Sequence, residues 1–174
     1  MRSNICLLSI DKRYSRTISK QVANALDMYY ADVNALIQFD ISDTDEVLRL
    51  CGVDYLHKIE TSKVKTVLTY DNTLFTLDFE LLNQSNIKQM VKNNSLIVFL
   101  DMDKNNFCAK LKNQKLSKSD KQNQIDLFED RRTVVKSFAD IVVACDGLKP
   151  VEVAKSLKTK LLDYFKGNIN GNRQ

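Results

Sequence analysis

Glycine is scarce in this chain. There are four in 174 residues, Gly52, Gly147, Gly167 and Gly171, so the first 51 positions hold none. Any loop there that wraps a phosphate does so without the residue that best tolerates positive φ and close backbone approach. Histidine occurs once, at His57, which excludes a multi-histidine metal centre. The four cysteines, Cys6, Cys51, Cys108 and Cys145, form no C-x-x-C pair and read as buried, reduced thiols. No stretch reaches the roughly 18 apolar residues of a membrane span. The apolar run before Asp11-Lys12-Arg13 is too short for the core of a signal peptide. These features place the chain in the cytoplasm, away from membranes. A concentrated basic patch is also missing: 26 Lys and Arg against 22 Asp and Glu give +4, spread along the chain. Aromatics are not interleaved with those cations, which argues against nucleic acid as a partner.

What is present suits one globular domain. Apolar residues make up 44%, enough for a real core at this length. Five apolar runs read as strands: Ile5 to Ile10, Met28 to Ala31, Val64 to Tyr70, Ser95 to Leu100 and Ile141 to Cys145. Helical spacing fills the gaps. Ile18, Val22, Ala25 and Leu26 mark a helix over 16–27. Ser42 reads as the cap of a helix closed by Gly52, and residues 53–63 as another. Further helices follow over 81–92, 103–111 and from about 125 to 138, and Pro150 opens the last one. Strands alternating with helices imply a three-layer α/β/α fold with a five-stranded parallel sheet. Ligands of such sheets bind at the carboxyl ends of the strands. The polar segment over 112–124 reads as an exposed, lid-like loop. One domain over 1–166 is followed by a flexible tail, 167–174.

The first turn stands where a phosphate loop would be. Such a loop needs glycines so that amides can encircle phosphates, a lysine on the β- and γ-phosphates, and a hydroxyl on Mg²⁺. The segment Ser9-Ile10-Asp11-Lys12-Arg13-Tyr14-Ser15-Arg16-Thr17-Ile18-Ser19-Lys20 matches no such motif by itself. Lys12, Arg13, Ser15, Arg16 and Thr17 are its candidates for phosphate or nucleotide contacts at a helix N-terminus.

From Asn4 to Ile37 the chain resembles the opening of the shikimate kinase family, a group of P-loop small-molecule kinases. Thr17-Ile18-Ser19-Lys20-Gln21-Val22-Ala23-Asn24-Ala25-Leu26 is similar to the family helix T-I-G-R-x-L-A-x-A-L, and Asp32-Val33-Asn34 to its D-x-D pair. Gly52 to Glu60 resembles G-E-x-x-F-R-x-x-E, Ser95 to Asp101 resembles G-x-V-V-Y-L-D, and Arg131 to Asp140 resembles R-x-P-x-Y-x-x-x-A-D. Asp146-Gly147 and Val151 to Ala154 match a turn and helix near the family's adenine site.

The resemblance implies a shikimate-kinase-like P-loop fold whose working parts are altered. In one register Ser9 and Tyr14 replace loop glycines, Ser15 the lysine and Arg16 the metal-binding hydroxyl. In the other, Ile10 to Thr17 is the motif, Ser15 replaces the second glycine, Arg16 the lysine, and Thr17 keeps the hydroxyl. Both stay open, and both leave the loop without glycine. On the substrate side the resemblance assigns Asp32 to the neighbourhood of Mg²⁺ and Arg131 to the shikimate carboxylate. Asn34 replaces an acidic residue there, and His57 replaces an arginine. Lys115 and Lys118 are the cations nearest to the family's lid arginine.

Three functions follow. The first is a non-catalytic binding or regulatory module for a small anionic ligand or a protein partner, with no bound cofactor. The second is a working or weak shikimate kinase that uses ATP and Mg²⁺ to phosphorylate the shikimate 3-hydroxyl, with Arg16 and Asp32 as its catalytic residues and Thr17 and Asp32 at the metal. The third is a related P-loop kinase with another small substrate.

Overall fold

The computed structural model describes residues 4–41 and 43–171, apart from the side chains of 168–171. The chain order is β1 (Asn4–Ser9), α1 (Lys12–Ala25), β2 (Tyr29–Asp32), α2 (Val33–Asp40), α3 (Thr44–Cys51), α4 (Val53–Thr69), β3 (Thr73–Thr76), α5 (Phe79–Leu82), α6 (Ser85–Asn94), β4 (Ser95–Asp101), α7 (Lys104–Lys112), α8 (Lys118–Asp126), α9 (Phe128–Phe138), β5 (Ile141–Ala144) and α10 (Pro150–Gly171). All strands are parallel, in the order β2-β3-β1-β4-β5. The α/β architecture with a five-stranded parallel sheet is the one the alternating pattern predicts.

β1 is the central strand. Its register with β4 runs from Asn4↔Ser95 to Ser9↔Leu100. Ile5, Cys6 and Leu7 in β1 and Ile97, Val98 and Phe99 in β4 are fully buried, because helices cover both faces of the sheet. One buried polar residue sets the start of β1. The Asn4 side chain donates to the Tyr70 carbonyl (2.7 Å) and accepts from the Thr73 N–H (3.0 Å), so its burial leaves no lone polar group. The described elements share one contiguous core.

Several boundaries differ from the sequence pattern, each for a physical reason. α1 starts at Lys12 rather than residue 16 because Asp11 caps it. The run from Val64 to Tyr70, expected as the third strand, belongs instead to α4. Val64 and Val67 both face the core, one helical turn apart, so packing overrides their β-branched preference. The actual β3 is the four-residue TLFT. Ser42 lies outside the described residues, and Asp43 caps α3 by accepting from the Asp45 and Glu46 N–H groups. Gly52 separates α3 from α4 at φ 81°, a conformation that glycine adopts without strain. Part of the polar segment read as a loop is helical: Ser117 caps α8 by accepting from the Asp120 N–H. Cys6 and Cys145 are buried thiols as expected, whereas Cys51 is exposed. Among the described residues no helix is long and apolar enough to cross a membrane.

Candidate functional site

The carboxyl ends of the strands collect the chemistry, beginning with the link from β1 to α1. Only Ile10 and Asp11 separate strand from helix. The Asp11 N–H donates to Ser9 Oγ (3.3 Å), and Asp11 Oδ1 accepts from the N–H groups of Arg13 (3.0 Å) and Tyr14 (3.3 Å). The first turn of a helix presents unpaired amides and positive potential to any nearby anion. Here the chain's own buried carboxylate takes that position. Ser15 turns inward and donates to the Lys12 carbonyl (2.9 Å), and Thr17 donates back to the Arg13 carbonyl (3.0 Å) on the exposed side of α1.

Lys12 and Arg16 lie one turn apart on α1 and reach the ends of β2 and β3. Lys12 Nζ contacts Asp78 Oδ2 (2.7 Å) and Glu80 Oε2 (3.1 Å). Glu80 Oε1 in turn meets Arg131 Nη2 at 3.1 Å, and Arg131 Nη1 donates to Gln124 Oε1 (3.0 Å). Arg16 Nε donates to Asp32 Oδ2 at 2.6 Å. The other Asp32 oxygen caps α2 through the Ala35 N–H (3.2 Å), and Asn34 Oδ1 accepts from the Asp78 N–H (2.8 Å). Three cations therefore face three carboxylates, and the cluster is internally neutral.

Burial works against the charged Lys12 ammonium, but Asp78 and Glu80 outweigh it and hold its pKa above the ordinary lysine value. Asp78 is raised as well, because its own burial outweighs the pull of Lys12. Burial also pushes Glu80 upward, yet Lys12, its own N–H and Arg131 bring it below the usual carboxylate value.

A second ion cluster closes the β4 end. Asp101, almost fully buried, accepts from Arg132 Nε (2.6 Å), Arg132 Nη2 (3.1 Å) and Lys136 Nζ (3.2 Å), all on α9. Burial disfavours its charge, but these hydrogen bonds win and its pKa lies below the ordinary value. A carboxyl lowered in the folded state stabilises above its unfolded pKa, and that contribution disappears as pH falls through the folded value. Asp101 and Glu80 therefore lose stabilising charge on acidification, with Asp78 opposing them. Urea midpoints should fall from about pH 6 to about pH 3, and Asp101→Asn should flatten part of that fall. An unchanged slope in the variant would contradict this account of Asp101.

Tyr14 closes the remaining side. Its ring is buried on α1, with Lys110 Nζ 4.3 Å from the centroid. Its hydroxyl lies against the Cys145 thiol, at the turn after β5. Burial pushes the Cys145 thiol up to about 12, far from a thiolate at neutral pH.

The structure thus brings Lys12, Arg16, Asp32, Asn34 and Arg131 together. It leaves Arg13 and Thr17 exposed and points Ser15 at the backbone. His57 is not part of this cluster. It lines a separate groove of about 380 Å³ on α4, with Lys58, Lys65 and Asn86. Sequence reasoning missed Asp78 and Glu80, which follow a strand it had placed too early, and missed the cap role of Asp11. A cavity of about 240 Å³ remains beside Lys12, Arg13 and Arg16, closed by Phe107, Leu111 and Gln124. A phosphate seated on this turn would have to displace the Asp11 carboxylate from the Arg13 and Tyr14 amides. The Arg13 and Tyr14 amides are taken by Asp11, Lys12 and Arg16 are paired, and Ser15 and Thr17 donate to the backbone carbonyls of Lys12 and Arg13. Among the described residues no group of three His, Cys, Asp or Glu could hold a metal ion.

The comparisons agree on kinship. A family model described as "Shikimate kinase" matches residues 16–162. A protein of Clostridium botulinum (strain Eklund 17B / Type B) named "Shikimate kinase" is 24% identical over 165 residues, covering 94% of this chain and 99% of its own. The crystal structure of shikimate kinase from Bacteroides thetaiotaomicron aligns with a TM-score of 0.76 at 15% identity, over 94% of this chain and 98% of that one. Shikimate kinase from Acinetobacter baumannii, solved in complex with shikimate, aligns at 0.75 with 17% identity, over 95% and 94%.

Proposed function

The chain belongs to the shikimate kinase family, and from that premise we propose that it is a member without ATP-driven phosphoryl transfer, acting as a binding or regulatory module. The observation that carries this reading is the Asp11 carboxylate on the amides of Arg13 and Tyr14. A phosphate approaching those amides must displace a covalently tethered anion, which is always present at high effective concentration. It must also break the pairs that Lys12 and Arg16 already make, because no spare charge in the cluster balances it. The ligand that suits such a surface is a protein partner, or a small anion held weakly by exposed Arg13.

A second reading has its own support. The relatives that the chain matches from end to end are named shikimate kinases, and Asp32 and Arg131 share one cluster at the strand ends. In that reading the chain transfers the γ-phosphoryl of ATP to the shikimate 3-hydroxyl. Calorimetric titration of Mg·ATP and of shikimate, followed by assay of ADP release, separates the two. Absence of heat and of ADP supports the module. Mg²⁺-dependent turnover that vanishes in Arg16→Ala supports the kinase. Binding of ATP without shikimate points to a kinase for another substrate.

A further inference from the structure

α4 carries lysines of two kinds. Lys63 is neutralised by Asp40. Lys58 and Lys65 are exposed and meet no carboxylate among the described residues. Both line the groove of about 380 Å³ where α6 packs on α4, together with His57, Thr61, Ser62 and Asn86. None of these lining residues is acidic. The acidic neighbours on α4 stand elsewhere. Asp54, one turn before Lys58, lies outside the lining and makes no ion pair with it, and Glu60 Oε2 accepts from Gln84 Nε2 at 2.5 Å.

The groove is tied together and rich in donors. Asn86 Nδ2 on α6 donates to Thr61 Oγ1 on α4 at 3.0 Å. Thr61 is the acceptor in that bond, so its own hydroxyl proton is left to donate outward. The Ser62 hydroxyl has no partner among the described residues. Two ammonium groups with no carboxylate between them give the groove positive potential. Its length narrows the ligand. His57 and Lys65 are eight residues apart on one helix, which is about 12 Å along the axis. A single phosphate or carboxylate reaches only one end. An extended chain advances about 3.3 Å per residue and points alternate side chains the same way. Carboxylates at its first, third and fifth positions therefore span about 13 Å. They meet Lys58 and His57, then the two hydroxyls, then Lys65.

We propose that this groove docks a protein partner through an extended acidic segment with carboxylates at alternate positions. Charge and length both match such a segment. Nucleic acid matches less well, because no aromatic side chain lines the groove to stack a base. Exposed ion pairs contribute little one at a time, so the contact is weak by itself and sensitive to salt. It gains strength as one part of a larger partner. The groove lies apart from the ion cluster at the strand ends, so the proposal stands whether or not the chain transfers phosphoryl groups.

Titration of the isotope-labelled full chain with the end-capped peptide Glu-Thr-Glu-Thr-Glu, at about 50 mM salt, tests this. Amide shifts of Lys58, Thr61, Ser62, Lys65 and Asn86 should move together and saturate, with a Kd of about 1 mM or below. The peptide Gln-Thr-Gln-Thr-Gln should leave them in place. The double variant Lys58→Ala/Lys65→Ala should raise the Kd at least about fivefold with unchanged far-UV circular dichroism. Lys155→Ala/Lys160→Ala removes the same charge from α10 and should raise it less than about twofold. Absence of a saturable shift by about 5 mM peptide, a smaller rise in the groove variant, or an equal rise in both variants overturns the proposal. So does tighter binding of inorganic phosphate or a thymidine hexanucleotide at these amides, which assigns the groove to a small anion or to nucleic acid.

Discussion

Incubated with shikimate and Mg·ATP, the protein should release ADP at least ~10⁴-fold more slowly than the about 1–100 s⁻¹ of working kinases. Phosphoryl transfer asks the protein for positioning and charge stabilisation, and little else. A charge-assisted hydrogen bond contributes about 1.5–3 kcal/mol, and each 1.36 kcal/mol is tenfold in rate. On the module reading three such contacts are missing from the turn: the amide cradle, an unpaired lysine and a free hydroxyl. At about 2 kcal/mol each they multiply to roughly 10⁴. The bound carboxylate adds to the deficit, because Asp11 caps α1 and its displacement costs about 1 kcal/mol more. Arg16 does not compensate. Its guanidinium is committed to Asp32 at 2.6 Å, and a planar fork is no substitute for a mobile ammonium. Turnover within about tenfold of a working kinase would mean that the turn rearranges when nucleotide binds, and would favour the kinase reading.

The largest stability effect should come from the sheet centre. Phe99 in β4 is fully buried, and its neighbour in register is Leu8 of β1. Phe99→Ala should cost about 3–5 kcal/mol, from lost transfer energy and the cavity left behind. Domains of this kind have only about 5–15 kcal/mol in total, so the melting temperature should drop by on the order of 10 °C. Leu50→Ala removes an exposed side chain of α3 and should change stability by no more than about 0.5 kcal/mol. Urea unfolding of the two variants side by side checks both figures. Similar losses in the two would contradict the placement of β4 in the core.

The same physics explains what could be read from the chain. β1 and β4 lie between helix layers, so burial on both faces writes them as continuous apolar runs. β3 could not be read that way. Its four residues include Thr73 and Thr76, buried polar side chains, and the β-branched run before it packs as helix. That one misplacement hid Asp78 and Glu80, because carboxylates are recognised as site residues only once the strand they follow is known. Lys12 and Arg16 were legible from the basic start of the first helix and Arg131 from the family resemblance, but their neutralising partners Asp78 and Glu80 were not. His57 illustrates the limit of a motif match. Leu56 takes the buried face of α4, which turns His57 outward, into the groove with Lys58 and Lys65. Asp11 carried no pattern of its own. Only its two amide partners show that it is a cap and not part of an open loop.

The bond between Asp11 and the start of α1 decides the matter, and it can be watched directly. Amide chemical shifts of Arg13 and Tyr14 should stay fixed, and far downfield as in capped helices, while magnesium pyrophosphate is raised to millimolar levels. A saturable shift of both amides, with matching changes at Ser15 and Arg16, would show phosphate replacing the carboxylate and would contradict the account.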